Sequence, residues 1–138
     1  NYTGTVEEVN TTLLTALLDN GFLPVLTPPA ISYEGEAINV DGDRAARATA
    51  VALKADALVI LSNIPGLLRD FPDENTLITH IPIEEIDHYQ QYAEGRMRIK
   101  LLGSREAIEQ GIERVILGDA RGEHPIRRAL EGFGTAIS

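Results

Sequence analysis

Residues 37–43, AINVDGD, close a β-prone run and lead straight into an alanine-rich helix, so Asn39, Asp41 and Asp43 crowd one strand-to-helix junction. An amide and two carboxylates at this spacing suit three kinds of chemistry: holding a divalent cation, capping a helix, or aiming a reacting group. Calcium fails on register. An EF-hand loop needs glycine at its sixth position and glutamate at its twelfth, and setting Gly42 sixth puts Ala37 first and Ala48 twelfth. A cap fits better: Asp41 precedes the helix, and Asp43 in its first turn complements the positive end of the dipole, each contributing about 0.3 to 2 kcal/mol.

Two further stretches carry chemistry. LSNIPGLL, residues 61–68, follows an apolar run with a polar pair, a rigid proline and a glycine. A turn of this kind at a strand end can present backbone N–H groups to phosphate or ribose oxygens, or can be an ordinary strand-to-helix loop. It is not a Walker loop, and the chain has no G-x-G-x-x-G. EGRMRIK, residues 94–100, puts glycine before a basic helical turn, with Arg96 and Lys100 four apart on one face. That face is either solvated or an anion site, and lysine is a compact charge able to follow a moving phosphoryl group.

The composition narrows the classes. With 138 residues, 43% hydrophobic and 24% charged, the chain reads as one globular domain able to bury a core without staples. It has no cysteine, which excludes disulfides, thiolate metal sites and a cysteine nucleophile and fits a cytoplasmic protein. His80, His88 and His124 lack metal-ligand spacing, so no metal site is expected on the protein itself. No apolar run approaches membrane-spanning length, and the first ten residues do not resemble a signal peptide. A formal charge of -9 argues against nucleic-acid binding. The charge is uneven: no Lys or Arg precedes Arg44, whereas Arg96, Arg98, Lys100 and Arg105 fall within ten positions.

The elements that must position these residues alternate. The opening residues, NYTGTVEEV, look like a strand already under way, as in a piece of a longer protein. Asn10 is placed to cap TTLLTALLDN, which Gly21 stops. FLPVLTPP reads as a strand buried on both faces, AISYEGEAINV as a hairpin turning at Glu34 and Gly35, and residues 41–54 as a helix. Strand ALVILS, a loop, a short strand LITHI, helices in IEEIDHYQQYA and RMRIKLLGSREAIEQG, strand RVILGD, helix HPIRRALEG and strand GTAIS complete the chain. The pattern predicts an α/β fold, a three-layer αβα sandwich with a mainly parallel sheet plus a β-hairpin. Ligands then belong at the C-terminal strand ends, at TPPA, SNIPG and GDARGE.

In order and with compatible spacing, GFLPVLTPP, the hairpin leading into NVDGD, ALVILSNIPGLL and GRMRIK resemble the C-terminal, nucleotide-binding half of the amino acid kinase family, on the acetylglutamate kinase branch. The resemblance covers essentially the entire chain. Within that branch YTGTVEEVN, NVDGD, GRMRIK and HPIRRALEGFGTAI look most like kinases acting on α-aminoadipate attached to an amino-group carrier protein. Kinases for N-acetylglutamate more often read NVNAD and GMIVK at the two central blocks.

The resemblance implies ATP-dependent phosphorylation of a side-chain carboxylate to an acyl phosphate, with carrier-bound aminoadipate or glutamate, or else N-acetylglutamate, as acceptor. Mg2+ would arrive mainly on the ATP phosphates. By resemblance, Asn39 holds the amino acid substrate, Asp43 orients catalytic lysines, and Lys100 neutralises the transferring phosphoryl group. Asn63, Ile64, Gly66, Leu67 and Leu68 match the turn that receives the nucleotide, with Tyr92 beside it. The full-length protein would be a homodimer. The family's N-terminal half begins with a strand and a glycine-rich turn carrying a second phosphate-binding lysine, none of which matches this stretch, so the chain alone is expected to fold, to bind nucleotide weakly and not to turn over. An acidic carrier would dock on the missing half or near residues 96–105. A rival of another class is a non-catalytic nucleotide-sensing domain on the same fold.

Overall fold

The structure, a computed structural model, describes residues 4–138. The chain divides into two compact units, Asn1–Ala55 and Asp56–Ser138.

In the first unit, helix α1 (Thr11–Asp19) begins where the Asn10 side chain accepts the Leu13 N–H at 2.9 Å. It ends at Gly21, whose φ of 79° lets the N–H groups of Gly21 and Phe22 reach the carbonyls of Leu18 and Leu17, both at 3.0 Å. Strands β1 (Ala30–Ile31) and β2 (Ala37–Ile38) form the expected antiparallel hairpin. Helix α2 (Gly42–Leu53) starts at Asp41, whose carboxylate accepts the Arg44 N–H at 2.9 Å, and stops at Lys54 in the left-handed conformation, φ 51°.

Two expectations fail here. Residues 22–29 form no strand, and Leu23 and Val25 are 85% and 82% exposed. A continuous apolar run signals a demand for burial but does not supply a ladder partner, and Pro24, Pro28 and Pro29 remove three donors that a ladder would need. TPPA is therefore not a strand end but the approach to β1. The opening segment is not a strand over residues 4–9 either, although the Gly4 N–H donates to the Asn39 carbonyl at 3.0 Å; its first three residues lie outside those described.

The second unit contains β3 (Ala57–Ser62), β4 (His80–Ile81), α3 (Ile86–Tyr89), α4 (Gly95–Glu109), β5 (Arg114–Asp119), α5 (Pro125–Leu130) and β6 (Thr135–Ile137). The helix expected over IEEIDHYQQYA is cut to one turn of α3 between 3-10 turns at Ile83–Glu85 and Gln90–Tyr92. The sheet order is β3-β5-β6-β4, with β3/β5 and β4/β6 parallel and β5/β6 antiparallel. Helices α4 and α5 both pack against β5. Val115, Ile116 and Leu117 are buried in succession, which requires cover on both faces of β5. The molecule is thus α/β with a mainly parallel sheet and a separate hairpin, as the element pattern predicts.

Candidate functional site

Strands β3 and β5 run parallel with Ser62 opposite Asp119, so the segments that follow them leave from one sheet edge. The Ala120 N–H donates to the Ser62 carbonyl at 2.7 Å and holds the two exits together. This is the strand-end edge at which open α/β sheets bind ligands.

The turn after β3 is built from the inside out. Asn63 is exposed and Ile64 half-buried, whereas Gly66, Leu67 and Leu68 are buried. Leu67 is held through both peptide groups: its N–H donates to the Thr135 hydroxyl oxygen at 2.8 Å, and its carbonyl accepts the Ile78 N–H at 2.8 Å. The Thr135 hydroxyl donates onward to the Ile78 carbonyl at 2.6 Å. At Gly66, φ 155°, a Cβ would collide with that hydroxyl. The turn exits at Arg69, whose guanidinium lies 5.1 Å from the Tyr92 ring centroid and donates to the Tyr92 hydroxyl at 3.1 Å. Tyr92 in turn packs with His88 and Tyr89. Asn63, Ile64, Gly66, Leu67, Leu68 and Tyr92 thus belong to one connected neighbourhood of the second unit.

The exit of β5 carries an ion cluster. Asp119 accepts from the Arg121 backbone N–H at 2.9 Å, from its Nε at 2.9 Å and from Nη2 at 2.6 Å, while Arg121 Nη1 lies 2.8 Å from Glu74. The hydrogen bonds from Arg121 hold the Asp119 carboxyl below the usual carboxylate range, and the same bonds raise the Arg121 guanidinium.

On α4, Lys100 is half-buried, and Arg96, one turn before it, is exposed on the same face. The Ser104 hydroxyl donates to the Lys100 carbonyl at 2.8 Å, and Arg105 pairs with Asp87 at 2.6 Å. Asn39 and Asp43 lie in the first unit: Asn39 is exposed at the end of β2, and Asp43 is half-buried in the first turn of α2. That unit also has an apolar hollow of about 960 Å³, lined by Val9, Leu14, Leu26, Val40 and Ala46 among others. Neither Asn39 nor Asp43 lines it, and its apolar walls suit no phosphate. Among the described residues no three His, Asp or Glu side chains are grouped to ligate a metal.

Thr135, Arg69 and Arg121 are absent from the sequence reading of the site. Arg121 lies in GDARGE, a stretch marked as a strand end, but its fork onto Asp119 is visible only in three dimensions. Thr135 is 68 positions from Leu67, and no local pattern links them.

Residues 1–119 match the amino acid kinase family. The chain is 56% identical over 139 residues to the LysW-aminoadipate kinase of Thermus thermophilus, covering 99% of this chain and 52% of that protein. It is 58% identical over 138 residues to the LysW-aminoadipate kinase of Deinococcus radiodurans, covering 100% and 47%. Among solved structures, N-acetylglutamate synthase from Neisseria gonorrhoeae, complexed with coenzyme A and L-arginine, matches with a TM-score of 0.89 at 28% identity, over 100% of this chain and 32% of that one. The chain therefore spans about half the length of the curated relatives it matches. On the family match and these identities together, the chain belongs to the amino acid kinase family.

Proposed function

We propose that the chain is the C-terminal, nucleotide-binding half of a kinase that phosphorylates the side-chain carboxylate of carrier-bound α-aminoadipate or glutamate. The observation that carries the nucleotide part is the turn at residues 63–68, fixed at the shared edge of two parallel strands and joined through Arg69 to Tyr92. Exposed Asn63 and the backbone around Gly66 would meet the nucleotide, with the Tyr92 ring beside it. The acceptor reading draws on the shared name of the two aminoadipate kinases above.

In the reaction, a carboxylate oxygen of the substrate attacks the γ-phosphorus, the bond to the β-phosphate oxygen breaks, and ADP leaves an acyl phosphate behind. Such a transfer needs in-line positioning and positive charge around the equatorial oxygens rather than covalent help from the protein. Lys100 supplies one such charge from α4. Asn39 holds the amino acid, and Asp43 orients a lysine and keeps it protonated. Mg2+, carried mainly by the nucleotide rather than by side chains of this chain, would supply Lewis-acid neutralisation of phosphate charge. The exposed Arg96 and Arg98 offer positive charge to an acidic carrier. The exposed apolar chains of residues 22–26 support the half-protein reading, since a longer chain would have surface to cover them.

Replacing Lys100 with Met in the full-length kinase tests this. Turnover is expected to fall by roughly a hundredfold or more with a modest change in ATP affinity; near-normal turnover would eliminate Lys100 as a transition-state group. The 138-residue chain alone is expected to form no acyl phosphate, which hydroxylamine trapping would reveal.

A further inference from the structure

We infer that Thr135 is a positioning residue for nucleotide binding, acting through Gly66 and Leu67 from the far end of the chain. The inference rests on the reading of residues 63–68 as the nucleotide turn and specifies what gives that turn its shape. Thr135 sits in β6 with no solvent exposure, and its one hydroxyl serves two segments at once: it accepts the Leu67 N–H at 2.8 Å and donates to the Ile78 carbonyl at 2.6 Å. The Ile78 N–H closes the circuit on the Leu67 carbonyl at 2.8 Å. A hydroxyl is required for this, because it alone at that size both donates and accepts.

The consequence is steric as well as polar. Gly66 is pressed onto the Thr135 hydroxyl and backbone nitrogen so closely that no side chain fits, which fixes how far the backbone at 63–66 stands out from the sheet edge. Val at position 135 keeps the shape and removes the hydrogen bonds, leaving the buried Leu67 N–H without a partner. That amide would seek an acceptor elsewhere, and the turn would move.

The test is a titration of the full-length kinase with ATP and Mg2+, below each variant's unfolding temperature. Thr135→Val is expected to weaken ATP binding about tenfold, the scale of one buried donor left unpaired, and Thr135→Ser to stay within about threefold of the unaltered chain. Amide exchange at Leu67 should accelerate in Thr135→Val and not in Thr135→Ser. Ile137→Val, a loss of one methylene from the same buried strand, should lower stability without changing ATP affinity. Should Thr135→Val fail to fold, Thr135→Ala, which removes the hydroxyl without filling its space, carries the same comparison with Ser.

Three results would overturn the inference. Equal loss of affinity in Ile137→Val and Thr135→Val would make the role merely structural. Unchanged ATP binding in Thr135→Val, with binding lost in Gly66→Ala, would remove Thr135 and leave the turn as the nucleotide site. Absence of ATP binding to the unaltered full-length kinase would remove the nucleotide reading and this role with it.

Discussion

The two units differ in how completely they bury apolar residues, although both leave some exposed, Phe71 and Ile99 among them in the second. In Asp56–Ser138, a four-stranded sheet with helices packed on β5 buries Ile81, Ile86, Leu101, Val115, Leu117 and Ile137 completely. In Asn1–Ala55 only Leu14, Val40 and Ala50 are buried among the described apolar residues, whereas Phe22, Leu23, Val25, Leu26, Ile31 and Tyr33 are exposed. Similar residue types thus meet different fates. What differs is the scaffold: a sheet offers two continuous faces, while a hairpin of two-residue strands and two helices leaves a hollow. The second unit holds its turn at residues 63–68 through hydrogen bonds to Thr135 and Ile78, groups whose own positions are fixed by a packed sheet. Asn39 and Asp43 stand at the end of a two-residue strand and in the first turn of a capped helix.

The contrast can be broken experimentally, starting with its largest expected effect. Leu117→Ala, in the centre of β5, should cost about 2 to 5 kcal/mol, read as a lower urea midpoint for the second unit. A cost below 1 kcal/mol would mean that the two units do not differ in packing. Asp41→Ala removes the N-cap of α2 and should cost about 1 kcal/mol, seen as faster amide exchange confined to residues 42–46; spread of the effect into β3 or β5 would show that the units unfold together.

A pH scan separates the units by charge. Because Arg121 depresses the Asp119 carboxyl, its contribution is present at pH values above the unfolded carboxylate range, about 4, and is lost as pH falls through the lower folded value. Asp119→Asn should therefore flatten the acid limb of the second unit's stability and leave the first unit's unchanged. An acid limb that survives the substitution would assign it to other carboxylates. The smallest effect belongs to Leu23→Ala, expected within about 0.5 kcal/mol of the unaltered chain and accompanied by weaker binding of an apolar dye. A loss on the scale of Leu117→Ala would show that residues 22–26 are buried in solution.

Much of this was legible beforehand, and for identifiable reasons. Asn10 and Asp41 cap their helices as their positions require, since a cap is a contact over three residues and needs no tertiary partner. Gly21 and Gly111 end α1 and α4 because positive φ is cheap only for glycine. ALVILS and RVILGD announced buried strands and found each other in full register. FLPVLTPP carried the same apolar signal and found no ladder. The order of NVDGD, SNIPGLL and GRMRIK pointed to a kinase family before any coordinate, because the spacing of blocks along a chain is a property of sequence.

Helix ends, strand candidates, the family and the chemical types at residues 39, 43, 63 and 100 could be read without coordinates, because all depend on neighbours a few positions apart or on block order. Which apolar run became a strand, the fork of Arg121 onto Asp119, and the hydrogen bond from the Leu67 N–H to Thr135, 68 residues away, were settled by tertiary packing. Those outcomes depend on which segments the sheet brings side by side. A hydrogen bond between distant segments leaves no periodicity for the sequence to display.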